Sequence, residues 1–560
     1  MNSALNAARR ERELAEATDG RVVDLLVVGL GVTGAGVALD AASRGLDVVA
    51  VDAHDFAFGT SRWSSKLVHG GLRYLAKGQF GVAHESAVER GILMTRTAPH
   101  LTHPMPMLLP LMPMVSHAQA TVAALGLRAG DVLRSSAHTP RSTLPRPRRL
   151  SATETAAMAP GLRSLGLRGG LLSWDGQLED DARLVVALGR TAAAHGARVL
   201  TRTRVVELRD DGAVVRDELT GETSTIKARA VVNATGVWAG HLVPDVTLRP
   251  SRGTHLVLRR ECLPGLSVAV TAPVPGEANR FVMVLPQPDG QIYVGLTDEP
   301  VEGEIPDVPE PSESEIGFLL DVIGAVFDHP IRREDVVGAY AGLRPLLDAG
   351  GRTADLSRRH AVVTSPDGVI TVVGGKLTTY RRMAEDAVDA AVRQRSIAAG
   401  PCRTKRLPLV GAAPRDELAR IEVPHPGARR LVRRYGTEAT LVLANARAVA
   451  GAVAGAVAGA VAGVAEGGAA GSGSCDGGTG TEDGAGPGAD ALASLLEPIA
   501  EGVPVTMAEL IWGVTHEGAL DVDDLLDRRT RIGLIPEDRV AVEPAARRAL
   551  EIGLGAHSVG

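Results

Sequence analysis

Short apolar runs that end in glycine alternate with segments of helical composition over most of this chain. Val22–Val28 is rich in β-branched residues and contains a single charge, which predicts a buried parallel strand. Gly34–Arg44 consists of small residues with helical character, and Leu46–Val51 predicts a second buried strand. Together the three elements predict a βαβ unit at the start of the fold.

Further short strands are predicted along the first two thirds of the sequence. They lie at Arg198–Leu208, Ala230–Ala234, His255–Leu258, Phe281–Leu285, Ile292–Leu296 and Val369–Val373. Because strands and helices alternate over residues 20–395, the predicted fold class is α/β. The closely spaced strands near residues 245–345 predict an inserted antiparallel sheet.

The two ends of the chain differ from this pattern. Residues 1–20 alternate charges without an apolar segment, so we expect a polar N-terminal tail and neither a secretory signal nor an anchor. Beyond Pro401 the pattern becomes helical, at 407–445 and 491–553, which predicts a separate helical C-terminal domain over 401–560.

A low-complexity insertion at 448–490 interrupts the helical domain. Its first part repeats Ala, Val and Gly without a charge from 448 to 465, long enough to consider a membrane span. Alanine and glycine contribute little to bilayer insertion, however, and no Trp or Tyr flanks the run. We therefore expect a surface loop.

Composition and charge exclude several classes of function. The 560 residues have a formal net charge of −6, which provides no basic field for nucleic acid. The three cysteines, Cys262, Cys402 and Cys475, lie far apart and form no pair suited to zinc or to a dithiol. We expect no metal site, and we expect a reducing, cytoplasmic location.

The motif Gly29-Leu30-Gly31-Val32-Thr33-Gly34 follows the first strand and opens the first helix, the context in which G-x-G-x-x-G binds a dinucleotide. The first glycine permits the tight turn, the second lets the backbone approach the pyrophosphate, and the third lets helix and strand pack closely. Asp52, 21 positions after Gly31, ends the second strand and can accept hydrogen bonds from a ribose. This favours NAD or FAD over NADP.

Two further strand ends carry glycine motifs, Asn233–Gly236 and Gly374–Tyr380. Three such ends that converge on one cofactor suit the long, buried FAD better than NAD. We therefore predict FAD. The cofactor-binding residues expected from the three strand ends are Gly29, Gly31, Gly34, Asp52, Ala234, Gly236, Gly375, Lys376, Leu377 and Thr378.

The segment TSRWSSKLVHGGLRYL, residues 60–75, resembles the signature of FAD-dependent glycerol-3-phosphate dehydrogenases, respiratory enzymes that feed electrons to quinone. The resemblance covers about residues 22–400 and is weaker in the helical domain. It continues through the motifs at Ala98–His100, Asp180–Leu184, Asn233–Gly236, Gly253–His255, Gly295–Asp298, Gly342–Leu346 and Gly375–Tyr380. It implies a glutathione-reductase-like FAD-binding Rossmann domain with a substrate-capping antiparallel sheet. The implied reaction is oxidation of sn-glycerol 3-phosphate to dihydroxyacetone phosphate.

The resemblance also implies how the substrate is bound. A phosphomonoester dianion is held best by guanidinium groups, which donate parallel charge-assisted hydrogen bonds. Arg73, Arg344 and Arg358 match the family's substrate-binding arginines, with Arg359 as the alternative to Arg358. Tyr74, next to Arg73, is a further substrate-binding candidate.

Three residues are the catalytic candidates. His255 aligns with an active-site histidine of the family and could take the hydroxyl proton as hydride leaves for flavin N5. Arg344 is a competing base or a stabiliser of the developing alkoxide. Lys376 places a positive charge beside the flavin or the substrate oxygen.

The signature segment supplies most of the remaining cofactor-binding candidates. These are Thr60, Ser61, Ser64, Ser65, Lys66, Leu67, His69, Gly70 and Gly71, with Val205 outside the segment. A covalent flavin link at His69 is conceivable, but the resemblance does not imply it.

Alternatives remain open for the electron acceptor and for activity itself. The enzyme could pass electrons to membrane quinone or, as an oxidase, to oxygen. An NAD-dependent dehydrogenase and a non-catalytic flavin-binding protein are further hypotheses.

A quinone acceptor implies peripheral attachment to the inner face of the cell membrane. Arg128–Arg149, strongly positive with a single acid, is the candidate for contact with anionic lipid, against the alternative of a solvated loop. The resemblance also implies a homodimer.

Overall fold

The structure is a computed structural model that describes residues 2–76, 78–277, 280–347, 359–451 and 487–555. The helices are α1 (Ala7–Ala17), α2 (Val32–Ser43), α3 (Leu72–Ala76), α4 (Phe80–Ile92), α5 (His117–Ser136), α6 (Ala152–Met158), α7 (Asp181–Ala194), α8 (Ala239–Leu242), α9 (Glu313–Gly324), α10 (Tyr380–Arg395), α11 (Arg415–Leu418), α12 (Ala428–Tyr435), α13 (439–451), α14 (Pro487–Leu496), α15 (Met507–His516) and α16 (Pro536–Gly555).

The strands form two large sheets and one small one. They are β1 (Val22–Val28), β2 (Val48–Val51), β3 (Leu67–Val68), β4 (Thr102–Pro110), β5 (Arg148–Leu150), β6 (Gly170–Leu178), β7 (Arg198–Leu200), β8 (Thr203–Arg209), β9 (Gly212–Asp217), β10 (Thr223–Asn233), β11 (Ser251–Arg259), β12 (Ala269–Pro273), β13 (Phe281–Pro286), β14 (Gln291–Gly295), β15 (Glu299–Pro300), β16 (Val336–Arg344), β17 (Ala361–Thr364), β18 (Ile370–Val373), β19 (Pro498–Ala500) and β20 (Val503–Thr506).

The first sheet contains the predicted βαβ unit. Its strand order is β17-β18-β10-β1-β2-β7, and β1 pairs in parallel with both β10 and β2. Leu25 and Val27 face a core made with α2, α7 and α10, whereas Leu26 and Val28 face the β8–β9 hairpin and α8. Because both faces are covered, β1 is an almost unbroken apolar run, and its predicted bounds are confirmed.

The second sheet has the order β15-β11-β14-β13-β12-β4-β6-β3, with β16 paired to β11 and β5 paired to β6. The antiparallel sheet expected near residues 245–345 is present, but β3 to β6, from residues 67–178, extend it. Sequence reasoning missed β4 because three prolines lie within its nine residues. Strand β12 pairs with β4 only at Met107 and Leu108, so the prolines are tolerated along a largely unpaired edge.

The C-terminal part, from α11 to α16, is helical as predicted and contains in addition the small β19–β20 sheet. It docks on the first domain through buried ion pairs, among them Asp55 with Arg529 at 2.6 Å and Arg183 with Glu517 at 2.8 Å. Most of the low-complexity insertion, residues 452–486, lies outside the described residues. Within the described ranges, no helix combines the length and the apolar character needed to cross a bilayer.

The N-terminal segment differs from the expected polar tail because residues 7–17 form α1. Arg10 is buried and donates to Asp217 at 2.5 Å and to the Thr201 carbonyl at 2.7 Å. The alternating charges of this segment therefore pair with the first sheet and with one another, as Arg9 does with Glu13 at 2.6 Å.

Candidate active site

The glycine motif forms a tight turn at the start of α2. Gly29 has a φ of +103°, which favours glycine, and a Cβ at Gly34 would overlap the Gly29 carbonyl oxygen. A Cβ at Gly29 would lie 2.6 Å from the carbonyl oxygen of Ala234, so the end of β10 packs against this turn. The close approach leaves the N-terminus of α2 as a cradle of the kind that binds phosphate groups in proteins.

Asp52 and Ser61 hold this cradle in shape. The Asp52 carboxylate accepts the N–H groups of Leu30 at 2.6 Å and His54 at 2.8 Å, and burial raises the pKa of Asp52 to about 6. Ser61 Oγ accepts the Val32 N–H at 2.9 Å, at the N-terminus of α2 where Gly31 is the N-cap. This combination is typical of dinucleotide-binding sites: the helix dipole and the glycine backbone favour phosphate groups, and the carboxylate can accept hydrogen bonds from a ribose.

Val205 packs against the core on the β8–β9 side of the first sheet. It is a half-buried residue of β8, two positions after Thr203, whose N–H donates to the Asp52 carbonyl at 2.7 Å.

The third glycine motif follows β18. Its Gly374 and Gly375 have φ values of +75° and +68°, conformations that favour glycine.

The signature segment turns two of its polar side chains into the protein. Lys66 is fully buried; its Nζ donates to Asp181 Oδ2 at 2.9 Å and to the Arg62 carbonyl at 2.5 Å. Ser64 Oγ donates to the same Asp181 oxygen at 2.7 Å. Burial lowers the pKa of Lys66, and Asp181 opposes that shift. Sequence analysis predicted Ser64 and Lys66 as cofactor-binding residues; Asp181 lies in the motif Asp180–Leu184, but it was not identified as their partner.

Thr60 is likewise bonded within the protein, since its hydroxyl donates to the Leu343 carbonyl at 2.6 Å. This bond joins the signature segment to the end of β16, one residue before Arg344. Leu67 is buried in β3, and Gly71 has a φ of +84° at the entry to α3. The signature segment thus connects the domain built on the first sheet to the second sheet.

His255, on β11, lies in a tight slot of the second sheet. Its ring stacks on Tyr340 with centroids 4.8 Å apart, and a Cβ at Gly295 would overlap the other side of the ring. His255 Nε2 lies 2.8 Å from Ser65 Oγ. Burial, and then the charges of Lys66 and Arg344, lower the pKa of His255 well below 6.5. The imidazole is therefore neutral at pH 7 and a weak base.

Arg344, at the end of β16, is held by three oxygen atoms. Its guanidinium donates to Asp298 Oδ1 and Ser251 Oγ, both at 3.0 Å, and to the Thr297 carbonyl at 3.1 Å. The side chain is 18% exposed, so part of its surface is accessible to solvent. Asp298 and Ser251 were not identified individually from the sequence.

The other predicted substrate ligands are placed less completely. Lys376 Nζ lies 4.6 Å from the ring centroid of Tyr74, which brings these two predicted residues together. Arg73 belongs to α3, but its side chain lies outside the described residues. Arg358 falls in the undescribed range 348–358, and Arg359 is exposed.

His69 is part of a cluster that sequence analysis did not predict. His69 Nδ1 lies 3.2 Å from Asp175 Oδ2, and Arg90 donates to Asp175 Oδ1 at 2.6 Å. The Gly70 N–H also donates to Asp175, at 3.2 Å. Burial opposes ionisation of Asp175, but Arg90 and His69 lower its pKa to about 2. The isolated Asp175 carries no signal in the sequence.

The same histidine connects the signature to the third glycine motif. The His69 N–H donates to Thr378 Oγ1 at 3.2 Å, in the 3-10 turn Leu377–Thr379 that follows Lys376. Gly236, at the end of the second motif, has a φ of +62°. The signature segment thus contacts the second sheet through Ser65 and the third glycine motif through His69.

Two family models match the chain. A model described as FAD dependent oxidoreductase matches residues 24–381, and one described as the C-terminal domain of alpha-glycerophosphate oxidase matches residues 402–553. The chain is similar to "Glycerol-3-phosphate dehydrogenase 1" of Mycobacterium tuberculosis, with 50% identity over 557 residues, 98% of this chain and 99% of the relative. It is 34% identical to "Glycerol-3-phosphate dehydrogenase 2" of the same organism over 91% of this chain and 81% of the relative.

Solved structures show the same architecture. A glycerol-3-phosphate dehydrogenase from Bacillus halodurans, complexed with FAD, matches with a TM-score of 0.70 and 27% identity over 98% of this chain and 93% of that one. An L-alpha-glycerophosphate oxidase from Mycoplasma pneumoniae with FAD bound matches with a TM-score of 0.53 over 70% of this chain and 99% of that one; at 18% identity it bears on the fold alone.

Proposed function

Since this chain belongs to the family of FAD-dependent glycerol-3-phosphate dehydrogenases, we propose that it oxidises sn-glycerol 3-phosphate to dihydroxyacetone phosphate and passes the electrons to a membrane quinone. One observation supports the substrate site above all. The signature segment contacts two predicted parts of the site: Ser65 Oγ lies 2.8 Å from His255 Nε2 on the second sheet, and the backbone N–H of His69 donates to Thr378 Oγ1, in the third glycine motif, at 3.2 Å.

Each proposed cofactor contact follows from a strand end. The N-terminus of α2, with Gly29, Gly31 and Gly34, would hold the pyrophosphate, and Asp52 would accept from a ribose. Val205 would lie on the adenosine side; Ala234, Gly236 and the turn that follows Gly375 would face the rest of the molecule. Bound FAD supplies the hydride acceptor of the reaction, at its N5 atom.

The polar side chains of the proposed site have separable roles. Arg344, held in place by Asp298, donates to the phosphate or to the developing alkoxide, and Arg73 and Arg358 are the further phosphate ligands we propose. Lys376 adds a positive charge beside Tyr74. His255 is neutral and fixed in its slot, and its Nε2 lies 2.8 Å from Ser65 Oγ, so its role would be to position Ser65 of the signature segment.

The substrate and cofactor assignments are tested together by anaerobic titration of the purified holoenzyme with sn-glycerol 3-phosphate. We expect the flavin absorbance to bleach with this substrate and not with unphosphorylated glycerol, because the arginines recognise the phosphate. A flavin that dithionite reduces but sn-glycerol 3-phosphate does not would refute the substrate. Glycerol 3-phosphate oxidation coupled to a soluble quinone analogue, without peroxide, supports the quinone; peroxide formation in air at the same rate contradicts it.

We propose that Arg128–Arg149, with the exposed side of α5, contacts the anionic inner face of the membrane. On α5, Val122, Leu125 and Val132 are 67%, 57% and 68% exposed. Their spacing of three and seven residues places them on one side of the helix. The single acid of the segment, Asp131, pairs with Arg134 at 2.7 Å and with Arg146 at 3.8 Å, so the segment keeps a net positive charge that would attract anionic headgroups.

Liposome co-sedimentation tests this surface. We expect binding to anionic vesicles that exceeds binding to zwitterionic ones and falls with salt, because headgroup attraction is screened. Replacing the arginines of the segment by glutamate abolishes sedimentation, whereas V122S/L125S weakens it at all salt concentrations. Unchanged sedimentation in both variants refutes the surface. Light scattering after gel filtration tests the proposed homodimer.

A further inference from the structure

The segment that follows Asp52, the proposed ribose ligand, is held by the C-terminal domain. Asp55 lies three residues beyond Asp52. Its carboxylate accepts hydrogen bonds from Arg529 at 2.6 and 2.9 Å and from Arg528 at 2.8 Å. Both arginines belong to the helical turn Asp524–Arg529 of the C-terminal domain. A carboxylate of the first domain thus receives three charge-assisted hydrogen bonds from the C-terminal domain.

These three side chains are almost completely buried. Asp55, Arg528 and Arg529 are 0%, 3% and 1% exposed. Burial opposes ionisation of Asp55, but Arg529 and then Arg528 keep its pKa well below the usual range. Within their own domain, Arg528 donates to Asp524 at 2.5 Å and Arg529 donates to the Glu517 carbonyl at 2.8 Å. Because separation would leave an unpaired charge in the interior, the contact strongly favours the docked arrangement of the two domains.

The same segment is also bonded to the glycine motif. The Asp52 carboxylate accepts the Leu30 N–H at 2.6 Å, and the Ala57 N–H donates to the Leu30 carbonyl at 3.0 Å. Leu30 is the residue between the first two glycines of the motif, and Asp55 lies between Asp52 and Ala57 in the sequence. A displacement of Asp55 therefore reaches Leu30 through a hydrogen bond on either side.

Arg202 provides a second connection between the segment and the C-terminal domain. Its backbone N–H donates to the His54 carbonyl at 2.7 Å, one residue before Asp55. Its side chain donates to Asp524 at 2.7 Å. The segment after Asp52 is therefore connected to the C-terminal domain directly through Asp55 and indirectly through Arg202.

We propose that the C-terminal domain retains the FAD through an interdomain clamp, formed by Asp55, Arg528 and Arg529, that fixes the segment carrying Asp52. The three residues are positioning residues that act through Asp52 and Leu30. The inference rests on the cofactor contacts proposed above and is independent of the substrate and of the electron acceptor. Since coupling between two sites is reciprocal, bound FAD in turn stabilises the docked C-terminal domain.

The test is the rate of FAD release from the holoenzyme after dilution, followed by the fluorescence of free flavin. We expect D55N to release FAD about 10- to 100-fold faster than the wild type, which is the usual range of coupling between sites. R529K should release it at an intermediate rate, because lysine keeps the charge and loses the parallel hydrogen bonds. R529K also provides the measurement if D55N does not fold.

E438Q is the matched control. Glu438 of the C-terminal domain forms a mostly buried ion pair with Arg190 of α7 at 2.6 Å, and neither residue belongs to the clamp or to the segment after Asp52. The substitution weakens the domain interface without touching the clamp. We expect E438Q to release FAD at the wild-type rate.

A second readout measures the coupling from the other side. Hydrogen exchange of residues 524–531 is compared in each variant with FAD bound and after FAD is removed. We expect FAD removal to accelerate this exchange in the wild type and in E438Q, and to change it far less in D55N, because the link to the cofactor is broken. A purely structural ion pair would instead leave the effect of FAD removal the same in D55N as in the wild type, and this result would contradict the clamp.

The release rates separate the failure of this inference from that of the proposed function. Release from both D55N and R529K within twofold of the wild-type rate refutes the clamp. Equally fast release from E438Q and D55N also refutes it, since any loss of interdomain contact would then loosen the cofactor. These measurements need no substrate, so they leave the proposed oxidation untouched. A wild-type flavin that sn-glycerol 3-phosphate does not reduce refutes the proposed function and leaves the clamp standing.

Discussion

Replacing Lys66 by methionine removes the buried ammonium of the signature segment and leaves its carboxylate partner in place. Lys66 is fully buried between Asp181, at 2.9 Å, and the ring of Tyr340, whose centroid is 5.0 Å from Nζ. Methionine matches the length of the lysine stem and has no charge. The substitution therefore isolates the electrostatic contribution of the pair.

The magnitude follows from the geometry. At 2.9 Å and an effective dielectric constant of about 20, the Coulomb attraction is about 6 kcal/mol. Desolvation offsets part of it, and breaking a buried pair typically costs about 3–5 kcal/mol. Because Asp181 keeps the two hydrogen bonds from Ser64 in K66M, we expect the loss of unfolding free energy to lie near the lower end of this range, at about 3 kcal/mol. For about 380 residues, this lowers Tm by about 4 °C.

The assay is a double-mutant cycle of K66M, D181N and K66M/D181N, with urea unfolding followed by flavin fluorescence. We expect the double variant to be more stable than the two separate losses predict, because no uncompensated charge remains. K405M is the matched control: Lys405 pairs with Glu385 at 3.7 Å on the surface, where an ion pair contributes little. Additivity of the two substitutions within about 0.5 kcal/mol would refute the reasoning.

Three further predictions concern the cofactor, the domain interface and the substrate. G34A is expected to purify without flavin, because the added Cβ overlaps the Gly29 carbonyl; the ratio of flavin to protein absorbance measures this. Arg183 lowers the pKa of buried Glu517 from 4.5 to about 2 against the effect of burial, so the pair contributes about 3 kcal/mol above pH 4.5. E517Q loses this contribution, and its difference from the wild type shrinks as the pH falls below 4.5 in urea unfolding. R344K is expected to lower kcat/KM for sn-glycerol 3-phosphate about 10- to 100-fold, because a lysine cannot donate two parallel hydrogen bonds.

Each of these has a control on the surface. G126A in α5 adds a Cβ where no atom lies within 4 Å and should keep its flavin. E551Q removes the exposed pair with Arg548 and should change stability little at any pH. R333K should leave kcat/KM unchanged, since Arg333 is exposed and pairs with Glu313. A colourless G126A, a pH-independent loss in E517Q, or an R344K variant with unchanged kcat/KM would contradict the corresponding argument.

The sequence by itself determined the α/β class, the βαβ unit and the dinucleotide cradle. These features depend on residues that are close together in the sequence. An apolar run with one charge predicts a strand that is buried on both faces of its sheet. Gly29 and Gly34 permit a tight turn that a Cβ atom would block. The resemblance carried by residues 60–75 also led to the family. Strand β4 was not predicted because prolines are rare inside strands. Its pairing with β6, which lies far away in the sequence, nevertheless makes this segment a strand.

Only the tertiary structure decided what the polar side chains do. Lys66 and Asp181 are 115 residues apart, Ser65 and His255 are 190 apart, and His69 and Asp175 are 106 apart. No local pattern encodes such pairs, because they arise where a strand register or a domain contact brings distant segments together. Burial then sets the chemistry, since the ammonium of Lys66 is buried against Asp181 and the buried His255 is a weak base.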